Sequence, residues 1–202
     1  MSLTRLQFTK LVLFVVCLVP AGLLGWNFYH DQLGANPFEA LTRDSGEWTL
    51  RFLLLTLLMT PLRGILQRSW PLHLRRMLGL YSFFYACLHL LTYLWFDQFF
   101  NWQEIVNDIL KRPFITAGIT AWILLLPLAV TSTNGMMRRL GRRWKRLHRS
   151  IYLIAILGVL HFIWLVKADL REPLIYAGLL VILLGYRITK WSQKREFGIA
   201  AR

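Results

Sequence analysis

Six apolar runs of about twenty residues each divide this chain, and each is close to the length a helix needs to cross a bilayer core of about 30 Å. They are read at residues 9–28, 48–66, 76–96, 114–132, 149–166 and 173–190. Lipid offers no hydrogen-bond partners, so a spanning segment must satisfy its own backbone, and each run is expected to be helical. The expected fold class is therefore an all-α integral membrane protein, a six-transmembrane-helix bundle forming a single domain over residues 1–202. Composition agrees, with 56% hydrophobic, 14% aromatic and only 17% charged residues. The first run follows LTRLQFTK, a start shared with secretory signals, but continues through Gly25 and Trp26 with no small-x-small cleavage site, so it is read as an uncleaved first helix.

The formal net charge of +14 would suggest a nucleic-acid partner in a soluble protein. Here the bases cluster between apolar runs instead, so the expected partner is membrane lipid and not nucleic acid. The segment before the first span holds Arg5 and Lys10, the 2–3 connection Arg63, Arg68, Arg75 and Arg76, and the 4–5 connection Arg138, Arg139, Arg142, Arg143, Lys145, Arg146 and Arg149. With Arg187, Lys190, Lys194, Arg195 and Arg202 of the tail, these segments carry 18 of the 24 basic residues. The other connections mix a few bases with Asp31, Glu39, Asp44, Asp97, Glu104, Asp108, Asp169 and Glu172. Positive charge is retained on the cytoplasmic side, so both termini are expected there.

Trp26, Trp48, Trp95, Trp102, Trp144, Trp164 and Trp191 fall near the ends of the expected spans, where an indole anchors at the headgroup level. Cys17 and Cys87 lie in different spans and are read as buried thiols rather than a disulfide. No connection exceeds about 20 residues, and none holds a glycine-rich nucleotide loop or a set of Cys ligands. Any chemistry must lie within the bundle or depend on a partner docking at one face.

Ionisable residues inside spans are costly and tend to be buried, paired or functional. Of the five histidines, His30 and His73 fall at a span end and in a basic connection, where solvated roles are the default. His89 lies 13 residues beyond Arg76 and 8 before Asp97, and His161 lies 12 beyond Arg149 and 6 before Lys167. Their helices run in the same direction, so at 1.5 Å per residue the two imidazoles are expected at similar depth in the outer half. Two neutral imidazoles at one level suit the axial positions of a haem iron. Zinc or copper would need further Cys, His or carboxylate ligands, and none is evident at that level. The alternative is that each histidine only hydrogen-bonds across the bundle. Ala86, Ser82 and Gly79 form a strip of small residues on the His89 helix, and Gly158 stands three before His161; such small residues leave room for a porphyrin and equally serve ordinary helix packing.

The stretches LGLYSFFYACLHLLTY, LAVTSTNGMMRRLGRRWKRLH and SIYLIAILGVLHFIW, with LGANP in the first outer connection and EPLIYAGL opening the last span, resemble the MsrQ family (formerly YedZ) over nearly the whole chain. These are the haem-binding membrane subunits of bacterial MsrPQ systems, within the ferric reductase-like transmembrane superfamily. The resemblance implies a multi-pass protein of the bacterial inner membrane that passes electrons to MsrP. MsrP is a periplasmic molybdopterin enzyme that reduces methionine sulfoxide and so repairs oxidised envelope proteins. Sulfoxide reduction would belong to that partner, leaving this chain no catalytic residue. The resemblance further implies electrons drawn from the respiratory quinone pool, with haem b and FMN as cofactors. The family's motif histidines fall on His89, His148 and His161.

Two-haem members of the superfamily carry a second histidine 14 residues before the one matching His89, where this chain has Arg75. One haem is therefore expected, between His89 and His161, with His148 left for another task. That task is open: a second haem with an unidentified partner, a hydrogen bond to a flavin or quinone, or a place at the membrane interface. Arg75, Arg76, Arg146 and Arg149 at the same level could bind anionic cofactor groups or only lipid. On a straight helix, His148 and His161, 13 residues apart, would point about 140° apart, so they are not expected to face the same partner. Two other functions stay open: a haem reductase with ferric iron or oxygen as acceptor, fed by a cytoplasmic flavin reductase, and a cofactor-free scaffold or transporter.

Overall fold

A computed structural model describes residues 3–166 and 168–200, and side chains over 7–166 and 168–193. Lys167 and Arg202, used above as depth and orientation markers, lie outside the described residues. The side chains of Arg5, Lys194 and Arg195 likewise lie outside those described. Nine α-helices follow in order among the described residues: α1 (Leu3–Tyr29), α2 (Pro37–Leu66), α3 (Trp70–Thr92), α4 (Trp102–Lys111), α5 (Pro113–Val130), α6 (Asn134–Leu140), α7 (Arg142–Leu147), α8 (Ile151–Leu165) and α9 (Arg171–Ala200). Six of the helical segments are long and apolar enough to cross a membrane: 7–29, 37–66, 70–97, 113–130, 142–165 and 171–193.

The largest departure from the expected spans is at α2, which starts eleven residues before position 48. Asn36 caps it by accepting from the Glu39 N–H at 3.3 Å, and Pro37 takes the first-turn position where its missing N–H costs nothing. Glu39 and Asp44, read as loop acids, are thus helical. Pairs four apart, Arg43 with Glu47 and Glu47 with Arg51, line the early turns. The 3–4 connection also holds structure that apolar run length does not reveal. After a π-helical turn at Tyr93–Asp97, α4 lies amphipathic, turning Ile105 inward and leaving Trp102, Val106 and Leu110 exposed. Asp108, buried on its inner face, accepts from Tyr93 and Gln98 and pairs with Arg112 at 3.1 Å.

α2 packs most extensively on α3, and α5 on α8, as two antiparallel hairpins. Between them Leu50, Leu53, Leu57, Leu125, Leu128, Ile154, Ala155 and Val159 form the main core, with Leu180 and Leu183 of α9 closing one side. α1 lies outside, against α2 and α3, and exposes Leu11, Val15 and Leu23, as a lipid-facing helix does. It is held where Pro20 disturbs its backbone ladder. The Tyr85 hydroxyl enters between Cys17 and Ala21, donating to the Cys17 carbonyl at 2.8 Å and accepting from the Ala21 N–H at 3.0 Å.

Candidate functional site

His89 lies near the end of α3 and His161 near the end of α8, two helices that run the same way through the bundle. The structure brings the rings together, with centroids 5.9 Å apart and planes at 79°. Each Nδ1 faces a main-chain carbonyl on the partner helix of its own hairpin: His89 with Thr42 of α2 at 2.8 Å, His161 with Phe114 of α5 at 2.6 Å. A carbonyl can only accept, so both Nδ1 atoms carry the proton, and a neutral imidazole so fixed keeps a lone pair on Nε2. Metal-bound histidines are typically oriented in this way.

Each ring also lies against a glycine one turn beyond the carbonyl it uses. A Cβ on Gly46 would stand 3.0 Å from Nδ1 and Cε1 of His89, and one on Gly118 would stand 2.9 Å from Nδ1 and 3.0 Å from Cε1 of His161. Thr42, Gly46 and His89 recur as Phe114, Gly118 and His161, each 72 positions further on.

The rings border a cavity of about 710 Å³ between α2, α3, α5 and α8, lined by Leu50, Leu53, Ala86, Ile154 and Phe162, with Arg43, Glu47, Asp97, Gln98 and Arg112 also in its wall. The volume is that of a small-molecule or cofactor site. Thr42 adds a buried hydroxyl with no hydrogen-bond partner. With metal–imidazole bonds of about 2 Å, two rings on opposite sides of one ion would hold their centroids roughly 6 Å apart, close to the spacing seen. An apolar cavity with polar groups in part of its wall and two imidazoles 5.9 Å apart fits a haem. Among the described residues, no group of three or more His, Cys, Asp or Glu side chains is placed to hold a metal ion.

The small strip on α3 behaves differently from expectation. Ala86 borders this cavity, but Ser82 is fully buried with its hydroxyl donating to Thr49 of α2 at 3.1 Å, and Gly79 faces Thr56 of α2. Helix packing accounts for Ser82, while Gly79 and Thr56 both border the second, inner cavity. Gly158 borders the cavity and meets Leu50.

His148 belongs to a second cavity, of about 590 Å³, which it shares with Lys10, His73, Arg75, Arg76, Lys145 and Arg149. It opens a 3-10 turn, His148–Ser150, so the 140° separation expected on a straight helix does not apply. The ring stacks on Trp144 at 3.9 Å, and its Nε2 lies 3.0 Å from the Thr131 hydroxyl. That hydroxyl donates to the Pro127 carbonyl at 2.6 Å and so accepts from Nε2–H. Arg76 bonds Asn134. Leu125 borders both cavities.

Residue spacing within single spans missed two features. Gly46 and Gly118 stand out only when the two hairpins are compared at an offset of 72. Glu47, Arg51 and Tyr176 form a polar cluster beside the outer cavity: Arg51 pairs with Glu47 at 2.5 Å, bonds the Tyr176 hydroxyl at 3.1 Å and lies 4.6 Å over the Trp48 ring. The ion pair four residues apart at the head of α2 was its available signal.

Residues 45–159 match the model of the family described as ferric reductase like transmembrane component. Three similar proteins are each called protein-methionine-sulfoxide reductase heme-binding subunit MsrQ. That of Herminiimonas arsenicoxydans is 52% identical over 95% of this chain and 89% of its own length. That of Azospira oryzae is 54% identical over 92% and 81%, and that of Rhodospirillum rubrum 53% identical over 95% and 92%. No solved structure matches. The paired imidazoles thus lie in a chain that belongs to the ferric reductase-like transmembrane family and, within it, to the MsrQ family.

Proposed function

We propose that this protein is the haem b electron-transfer subunit of a bacterial methionine-sulfoxide reductase system, lying in the inner membrane with its basic connections and both termini cytoplasmic. Electrons from the quinone pool would leave at the opposite face for a periplasmic molybdopterin partner of the MsrP type, supporting repair of oxidised periplasmic proteins. The observation that carries the reading is the facing pair His89 and His161, with both Nδ1 atoms tied to carbonyls.

Haem, when bound, supplies a one-electron iron couple. His89 and His161 would hold the iron, and the carbonyls of Thr42 and Phe114, by binding Nδ1–H, would fix the tautomer and increase the basicity of each ligand. The apolar walls keep water away, and Leu125 stands between this site and the inner cavity. At that inner cavity Arg75, Arg76 and Arg149 favour an anionic occupant, and we assign to it the FMN implied by the family resemblance. His148 is assigned a hydrogen-bonding role there, in place of iron ligation, because its Nε2 already serves Thr131. The acidic face carrying Asp97 and Glu104 would meet the periplasmic partner, while Asp108, buried against Tyr93, Gln98 and Arg112, is taken up by holding α4 in place.

The test is a visible spectrum of detergent-purified protein after haem-replete expression. A Soret band with dithionite-sensitive α and β bands is expected, and its absence ends the haem assignment. Reduced protein mixed with MsrP and a sulfoxide substrate should reoxidise. A haem that stays reduced there but oxidises with ferric iron or oxygen would favour the other-acceptor reading. Flavin released on denaturing the purified protein tests the inner assignment.

A further inference from the structure

We infer that Gly46 and Gly118 are a matched pair of positioning residues, each providing the bare backbone against which one iron-binding imidazole must lie to reach its carbonyl. The inference rests on His89 and His161 being the haem ligands.

On α2, Thr42 and Gly46 are one turn apart and so share a face; on α5, Phe114 and Gly118 do the same. Each imidazole spans that face, its Nδ1 at the carbonyl and its Nδ1–Cε1 edge over the glycine. In both hairpins the histidine follows its carbonyl by 47 residues. Two independent packing glycines would have no reason to stand at the same register relative to a ligand and its acceptor. The repetition gives both histidines the same seat, a carbonyl and a glycine one turn apart on the preceding helix of each hairpin.

Glycine in a membrane helix often serves close helix packing. The local contacts separate that role from this one. At both positions the three atoms nearest a built Cβ belong to the imidazole, and none belongs to the facing helix backbone. Gly158 is crowded by the flexible Cδ2 of Leu50, which can move aside, while Gly178 and Gly185 have nothing within 4 Å. A buried imidazole is rigid and, with iron bound, would be tethered at both ends, by its own Cβ and by the metal. A methyl at 46 or 118 therefore displaces the ring edge and breaks the Nδ1–H bond. The freed imidazole donates less to the iron, and because ferric iron depends on that donation more than ferrous iron does, the midpoint potential rises.

The test uses the full-length protein in detergent with three single variants, Gly46→Ala, Gly118→Ala and, as a control, Gly178→Ala. Haem content, midpoint potential and the low-spin ferric EPR signal are measured; the last responds to the angle between axial ring planes, 79° here. The alanine at either seat should leave the haem-free protein folded, lower haem retention several-fold, raise the potential and shift the largest g value. Gly178→Ala should match wild type in all three. Wild-type potential and EPR in both seat variants overturn the inference, whether or not stability falls, as does failure of both variants to fold without haem. His89→Ala and His161→Ala distinguish the underlying reading: if they keep the haem, the ligand assignment fails; if they lose it while the seat variants stay wild type, only the seat fails.

Discussion

His89 and His161 on one side and His148 on the other show how a second contact decides what an intramembrane histidine is free to do. The outer pair lies on regular helices with ring centroids 5.9 Å apart, and each ring gives its Nδ1 proton to a carbonyl on the neighbouring helix, which leaves the lone pair on Nε2. His148 sits in a 3-10 turn, stacked on Trp144, with Nε2 donating to a threonine hydroxyl. Trp144 in turn donates its indole N–H to the Thr131 carbonyl at 2.9 Å, so indole, imidazole and hydroxyl brace one another. Of the three histidines, only His89 and His161 lie ring to ring with Nδ1 tied to a carbonyl. An imidazole is a ligand when its neighbours occupy the other nitrogen and leave a cavity in front.

The largest expected effect is on the outer pair. His89→Ala or His161→Ala should reduce bound haem at least tenfold by Soret absorbance per protein, while His148→Ala keeps most of it. Equal loss from all three would erase the contrast. A smaller effect is expected where α1 is held. Tyr85→Phe leaves the Cys17 carbonyl and the Ala21 N–H without their shared partner and should cost about 1–3 kcal/mol in thermal or denaturant unfolding, with the haem spectrum unchanged.

Thr131→Val removes the acceptor that holds His148 and should cost about 1 kcal/mol. Its sharper readout is ligation: a second low-spin haem signal in that variant would show that the hydroxyl alone kept His148 from binding iron. The smallest effect is expected at the lipid face, where Ile182→Ala on α9 removes a side chain with no core contact and should change stability by under about 0.5 kcal/mol.

The six spans could be read from the sequence because length and apolarity are local properties. The similar depth of His89 and His161 followed from counting residues along two helices. The early turns of α2 escaped, since Glu39, Arg43, Asp44 and Glu47 look like loop until their pairing at a spacing of four is set beside the Asn36–Pro37 start. α4 escaped because ten residues are too few for an apolar run and its fixing acid, Asp108, is satisfied by residues before and after it. The small strip on α3 suits either a porphyrin or helix packing, and only the contacts of Ser82 and Gly79 with α2 separate its members from Ala86 at the outer cavity, a distinction that spacing along one helix does not carry.

Apolar run length and the spacing of the histidines determine, without coordinates, that this chain is a six-span helical protein with two intramembrane imidazoles at similar depth. They do so because the bilayer imposes one length and one hydrogen-bonding rule on every span. Which nitrogen each histidine presents, which glycine it leans on and which face of α3 is occupied are decided only in the folded bundle. Those contacts join residues 47 positions apart in two hairpins, and packing between helices sets them where local pattern does not reach.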